Sequence, residues 1–234
     1  EVAPRGATAD MFLDAGGKPL RFFDAVRSGR SVGVPGAVAM LELAHREHGR
    51  LPWRQLWRPG ITLAETGFAV SPRLHEMITA VVARGSLPAN SAAYLTLDGK
   101  TPRPVGSLLR NPDYAATLRR IAVQGAKALS EGPIAEEIVS AVRADPMPGT
   151  LTLEDLRDYR PNRLEPVCST YRVYLVCGMR PPSSGGVAVL SVLGILSHVD
   201  MAARGATTVA GWHYLIEAQR LAYADRDTYV ADDR

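Results

Sequence analysis

The densest grouping of hydroxyls and glycines in the chain is Ser183-Ser184-Gly185-Gly186, which follows Pro181-Pro182 and precedes an apolar stretch. A serine held on a sharp strand-to-helix turn is one way in which hydrolases expose a nucleophile. The pattern Gly-x-Ser-x-Gly is missing here, however, and the nearest downstream histidines, His198 and His213, have no recognisable acid partner to complete a triad. A local role suits these residues better: Ser183 or Ser184 caps the next helix, and Gly185 and Gly186 let two backbones approach closely. The same turn could face an anionic group, although phosphate-binding loops use more glycines than this.

His45 and His48 stand three apart near a predicted helix end, but His45-Arg46-Glu47-His48 is not His-Glu-x-x-His. Polar and cationic residues at a helix C-terminus follow from the helix dipole, so no metal site is expected. Trp53 and Trp57, four apart, read as core residues rather than a stacking platform for bases. Cys168 and Cys177 are informative through register. If Arg172-Val173 is a two-residue turn, Tyr171 faces Tyr174 and Cys168 falls opposite Cys177. Two readings stay open, a disulfide in an oxidising compartment or two buried free thiols.

The elements that would carry these residues are mostly helices. The spacing predicts a helix over Val34 to Gly49 with Pro35 near its first turn, and two helical pieces over Leu51 to Gly67 broken at Pro59. Ser71-Pro72 opens a helix to about Arg84, Asn111-Pro112 one to about Gln124, and Pro133 one to about Ala144. The composition of Gly85 to Gly106 predicts a loop with a short strand at Tyr94 to Leu97. Thr152-Leu153-Glu154-Asp155 has capping-box spacing. After Pro161 the pattern turns to β-formers: a hairpin over Pro166 to Met179, then helices from about Val187 to Leu196 and about Thr208 to Tyr229. The expected organisation is a mainly helical lobe over residues 1–160, and a β-hairpin with helices over residues 161–234 that belongs to an α/β core.

With 234 residues, 46% hydrophobic and 22% charged, the chain can build a sizeable core. Its 27 basic and 24 acidic residues are interspersed, which speaks against nucleic acid as a partner. No apolar run approaches the roughly 20 residues a membrane-spanning helix needs. Glu1 is no initiator methionine and opens no signal peptide, so the native N-terminus is expected to lie upstream or to have been removed.

Several segments taken together carry a resemblance. They are Glu1-Val2-Ala3-Pro4 with Asp10-Met11-Phe12, Gly33-Val34-Pro35-Gly36, and Gly49-Arg50-Leu51-Pro52-Trp53. Ala64-Glu65-Thr66-Gly67-Phe68-Ala69-Val70-Ser71, Leu151 to Leu156 with Tyr159, Pro181 to Gly186, and Ala222-Tyr223-Ala224-Asp225-Arg226 follow in the same order. Across essentially its whole length the chain resembles the large subunit of the gamma-glutamyltranspeptidases. The resemblance implies an α+β fold, the αββα sandwich of N-terminal-nucleophile hydrolases in its large-subunit portion, with a mainly helical lobe. It implies a self-cleaving precursor whose small subunit supplies a threonine as nucleophile and α-amino base, an arrangement that works because an α-amino group titrates near 8. The implied activity is hydrolysis or transfer of gamma-glutamyl groups of glutathione and related amides through an acyl-enzyme, with no cofactor and no metal.

By the same resemblance, this chain holds no catalytic residue, and the family's binding arginine would stand immediately before Glu1. Its role is not assigned to Arg5. Arg180 stands where a third proline is usual, and Leu129-Ser130 where an aromatic pair is frequent. The expected partners are the small subunit of the same precursor and a small gamma-glutamyl substrate, in a periplasmic or secreted protein. The helix carrying Trp212, Leu215, Ile216, Leu221, Ala222 and Tyr223 is expected to expose apolar surface to that subunit. Two other readings remain: a beta-lactam acylase taking glutaryl-type side chains, and a noncatalytic partner-binding module.

Overall fold

A computed structural model describes residues 2–85, 87–144 and 146–231. Glu1, beside which the binding arginine was expected, lies outside the described residues. The chain divides into two compact units, Glu1–Pro161 and Asn162–Arg234.

The first unit is helical. In chain order its helices are α1 (Phe22–Val26), α2 (Ala37–His48), α3 (Trp53–Thr66), α4 (Pro72–Ala83), α5 (Ala89–Leu95), α6 (Pro112–Gln124), α7 (Lys127–Ser130), α8 (Pro133–Val142) and α9 (Leu153–Asp158). Local chemistry sets several starts. Ser71 Oγ accepts from the Leu74 N–H at 3.1 Å with Pro72 next to it, and Asn111 Oδ1 accepts from the Tyr114 N–H at 2.9 Å beside Pro112. At α9 the capping box is complete: Thr152 Oγ1 accepts from the Asp155 N–H at 3.0 Å, and Asp155 Oδ2 accepts from the Thr152 N–H at 2.9 Å. Strands β1 (Phe68–Ala69) and β2 (Leu108–Leu109) pair antiparallel.

Two clusters form the core of this unit. Leu118, Ile121 and Ala128 pack with Val38, Trp53, Trp57, Ile61 and Leu129, while Ala135, Val142, Leu151 and Leu156 pack with Val32, Val34, Ile138 and Val139. The first cluster explains why α3 is one helix and not two pieces. Pro59 lies inside it and lacks the N–H that would bond back one turn, a defect worth about 3 kcal/mol in isolation. The apolar face of Trp57 and Ile61 against α6 outweighs that cost. Gly85 to Gly106 also differs from the expected loop and strand. It contains α5, whose Ala92 is buried, and Thr96 is 1% exposed with its hydroxyl donating to the Ala92 carbonyl at 2.6 Å. Helix α2 starts at Ala37, later than the predicted Val34, and Pro35 immediately precedes its N-cap residue Gly36.

The second unit contains strands β3 (Val167–Tyr171) and β4 (Tyr174–Gly178) and helices α10 (Ser184–Leu196), α11 (Met201–Arg204) and α12 (Val209–Tyr229). The strands pair antiparallel in the predicted register, Tyr171 with Tyr174 and Cys168 with Cys177, around a turn in which Arg172 adopts a φ of 56°. Thr208 caps α12 by accepting from the Gly211 N–H at 3.0 Å. Where α12 packs on α10 it turns small residues inward, with Gly211, Ala218 and Ala222 buried. Trp212, Ile216, Leu221 and Tyr223 are exposed, as expected of this helix, whereas Leu215 is half-buried and Ala222 is buried.

Candidate functional site

The end of β4, the turn after it and the first turn of α10 form one tightly packed piece. The chain leaves β4 at Gly178, passes a cis Pro181-Pro182 bond and enters α10 with Ser183 at the N-cap. The expected serine cap is only partly realised: Ser183 occupies the capping position, yet its side chain makes no capping hydrogen bond. Ser184 instead faces α12, where Arg226 Nε donates to its Oγ at 3.1 Å. Arg226 also pairs with Asp227 at 2.5 Å and lies over the Tyr223 ring at 5.7 Å. Neither the composition nor the spacing singles out Arg226. Its place in the Ala222-Tyr223-Ala224-Asp225-Arg226 motif was the available signal.

The two glycines of the turn differ. A Cβ at Gly186 would lie 2.3 Å from the Met179 carbonyl oxygen and 2.9 Å from the Gly178 carbonyl carbon, so the close backbone approach expected of this pair belongs to Gly186. At Gly185 a Cβ would meet nothing within 4 Å. Cys168 and Cys177 are joined by a disulfide, with Cα atoms 4.1 Å apart, which decides between the two readings of the cysteine pair.

This arrangement lacks the parts of a serine hydrolase. Arg226 holds Ser184 by donating to it, and a guanidinium is no base at any ordinary pH. Among the described residues no hydrogen bond links Ser183 or Ser184 to His198 or His213. His213 packs edge-on against Tyr214, with ring centroids 5.9 Å apart. His45 likewise has a structural engagement, its Nε2 standing 2.7 Å from the Leu51 carbonyl and its ring against Trp53. Among the described residues no three histidines, cysteines or carboxylates gather around a metal-sized site.

In the helical unit, Arg5 ties the N-terminal segment to α9. Its N–H donates to Asp155 Oδ1 at 3.1 Å, and its guanidinium reaches Asp158 at 3.0 Å and Glu154 at 3.5 Å. Burial pushes the Asp155 carboxyl up, but the hydrogen bonds from the Thr152 hydroxyl and from the backbone N–H groups of Arg5 and Thr152, with the Arg5 charge, outweigh it. The net result is a carboxyl below the usual range. The hydrogen bond from Arg5 lowers Asp158 in the same direction. A cleft of about 460 Å³ in this unit is lined by Glu42, Arg46, Lys127, Ser130, Arg157 and Arg160 among others, and contains no histidine or cysteine to activate a hydroxyl. Trp53 Nε1 donates to the Ile121 carbonyl at 3.1 Å and its ring meets Trp57 edge-on, which makes both tryptophans core residues.

A family model described as gamma-glutamyltranspeptidase matches residues 1–234. The glutathione hydrolase proenzyme of Pseudomonas sp. (strain A14) is 37% identical over 234 residues, which are 99% of this chain and 40% of that protein. The acylase ACY 1 proenzyme of Pseudomonas sp. (strain V22) is also 37% identical, over 236 aligned residues that take in 99% of this chain and 42% of that protein. Among solved structures, Helicobacter pylori gamma-glutamyltranspeptidase superposes with a TM-score of 0.89 at 35% identity, over 99% of this chain and 66% of that one. The chain thus spans about two fifths of the length of the curated relatives it matches.

Proposed function

Because this chain belongs to the gamma-glutamyltranspeptidase family, we propose that it is the large-subunit part of an enzyme that hydrolyses or transfers gamma-glutamyl groups, glutathione among its substrates. The observation that carries this reading is the match of fold and sequence along the entire chain, 99% of it superposing on the Helicobacter pylori enzyme. The fold is that of the N-terminal-nucleophile hydrolases, and it is α+β. In this proposal Glu1–Pro161 is the helical lobe, and Asn162–Arg234 is the hairpin and helices of the αββα core. The relatives' description as proenzymes supports a small subunit cut from the same precursor as the partner of this chain. That subunit would bring the threonine nucleophile, its α-amino base and the donors that stabilise the tetrahedral oxyanion.

The roles of the residues present here are then structural. Ser183, Ser184, Gly185 and Gly186 shape the turn into α10, and Arg226 holds that turn to α12. The disulfide supports a periplasmic or secreted protein, because such bonds persist in oxidising compartments. Among the described residues no helix is long and apolar enough to cross a membrane.

The test is release of the chromophore from gamma-glutamyl-p-nitroanilide by the full-length, self-cleaved protein and by the 234-residue chain alone. Turnover is expected from the first and none from the second. Activity of the chain alone that disappears on Ser183→Ala/Ser184→Ala substitution would overturn the assignment in favour of a serine hydrolase. The equal identity to an acylase proenzyme favours one second reading, an acylase of glutaryl-type beta-lactam side chains. Competition between a gamma-glutamyl amide and a glutaryl amide for the full-length protein separates the two, the preferred substrate having the larger kcat/KM.

A further inference from the structure

In the second unit the hairpin and the start of α10 share a close backbone contact. A Cβ at Gly178, the last residue of β4, would lie 2.6 Å from the Gly186 Cα. A cavity of about 230 Å³ beside this contact is lined by Val176, Cys177, Gly178, Gly186, Val189 and Leu190, so Cys177 and the first turns of α10 face the same space. The hairpin has two strands of five residues. Isolated two-stranded hairpins are marginally stable in water.

Burial does little to hold the register of this pair. On β3 only Val167 and Tyr171 are even half-buried, and on β4 only Val176 and Gly178, so no continuous buried face specifies which residues stand opposite one another. The two-residue turn sets the register, and away from the turn it is held by the covalent bond between Cys168 and Cys177, directly opposite each other in the ladder. Both cysteines are exposed, within reach of a small thiol.

We propose that the Cys168–Cys177 bond is a redox-sensitive lock on the turn that begins α10. Closed, it holds the hairpin in register and, through Gly178, fixes the seat of Gly186. Opened by an external dithiol, it releases both. One thiolate of the dithiol attacks a cysteine sulfur, forming a mixed disulfide and expelling the other cysteine as thiolate. The dithiol's second thiolate then displaces the first cysteine. The dithiol ends as a cyclic disulfide, and its two electrons and two protons pass to the cysteine pair.

Amide hydrogen exchange of the full-length protein tests this, comparing the oxidised form, the form reduced by dithiothreitol, the reoxidised form and a Cys168→Ser/Cys177→Ser variant. On reduction, peptides spanning residues 167–190 should exchange at least about tenfold faster, and reoxidation should restore their protection. Peptides from α6 should keep their rate throughout. The double variant should exchange at the reduced rate and ignore dithiothreitol. Four results would overturn the proposal: no thiol released by dithiothreitol from the native protein, unchanged protection of residues 184–190 on reduction, loss of protection spreading equally to α6, or a folded double variant that still responds to dithiothreitol. If the variant does not fold, the reduction and reoxidation arms decide alone.

Discussion

Replacing Gly186 by alanine tests the packing that seats α10. The added Cβ would stand 2.3 Å from the Met179 carbonyl oxygen and 2.9 Å from both the Met179 nitrogen and the Gly178 carbonyl carbon. A carbon and a carbonyl oxygen normally keep more than about 3.2 Å apart, so the β4 end and the helix must separate by roughly 1 Å. All three neighbours are backbone atoms, which cannot swing aside as a flexible side chain would. Overpacking of this kind costs about 1–3 kcal/mol. Alanine recovers at most about 1 kcal/mol of helix propensity, less in a first turn. The expected net loss is therefore about 1–2 kcal/mol for Gly186→Ala. Gly185→Ala is the internal control: it meets no atom within 4 Å, keeps an ordinary φ, and should be neutral or stabilise by up to about 0.5 kcal/mol. Urea unfolding at fixed pH, followed by far-ultraviolet circular dichroism, measures both. Equal stability of Gly186→Ala and the parent, or a Gly185→Ala variant that is the less stable of the two, would refute the reasoning.

Two further outcomes follow from the helical unit. The native Asp155 carboxyl is held below its ordinary 3.8, so its contribution to stability is complete above that pH and is lost as the pH falls through the lower native value. Asp155→Asn should therefore cost about 1–2 kcal/mol at pH 7, with the difference from the parent shrinking as the pH falls below the ordinary 3.8 in acid-unfolding curves; a constant difference across that range would contradict the assignment. Trp57 Nε1 is buried without a hydrogen-bond partner among the described residues, whereas Trp53 Nε1 donates to Ile121. Trp53→Phe should accordingly destabilise by about 1 kcal/mol more than Trp57→Phe in thermal unfolding, and the reverse order would show that shape, not the indole N–H, governs this cluster.

How much of this was legible in the residues differs from element to element. Starts with a chemical signature were readable: Ser71-Pro72, Asn111-Pro112 and the Thr152–Asp155 box each satisfy helix N–H groups within three residues of chain. The hairpin register was readable for a similar reason, since a two-residue turn fixes every pair outward from it, and the cysteines fell into line. Family membership was also legible, because it rests on the order of motifs and not on distances.

Other features depended on what each residue meets across the fold. By local rules Pro59 should break a helix, and it fails to do so because Trp57 and Ile61 gain more from α6 than the missing hydrogen bond costs. The polar stretch before Thr96 reads as loop until Ala92 and Thr96 are buried, at which point helical bonding is the way to satisfy its backbone. Ser183 looked like a capping side chain and is not one, while Ser184 finds Arg226 forty-two residues away. The sequence by itself determined what could be settled by bonds within a turn or two of chain, along with the family these residues belong to. Which of two adjacent glycines is indispensable, and which arginine holds the turn, only the tertiary structure decided. The first depends on the end of a strand packing its backbone against the start of the next helix, the second on Arg226 meeting Ser184 from forty-two residues away, and neither contact lies within a single turn of chain.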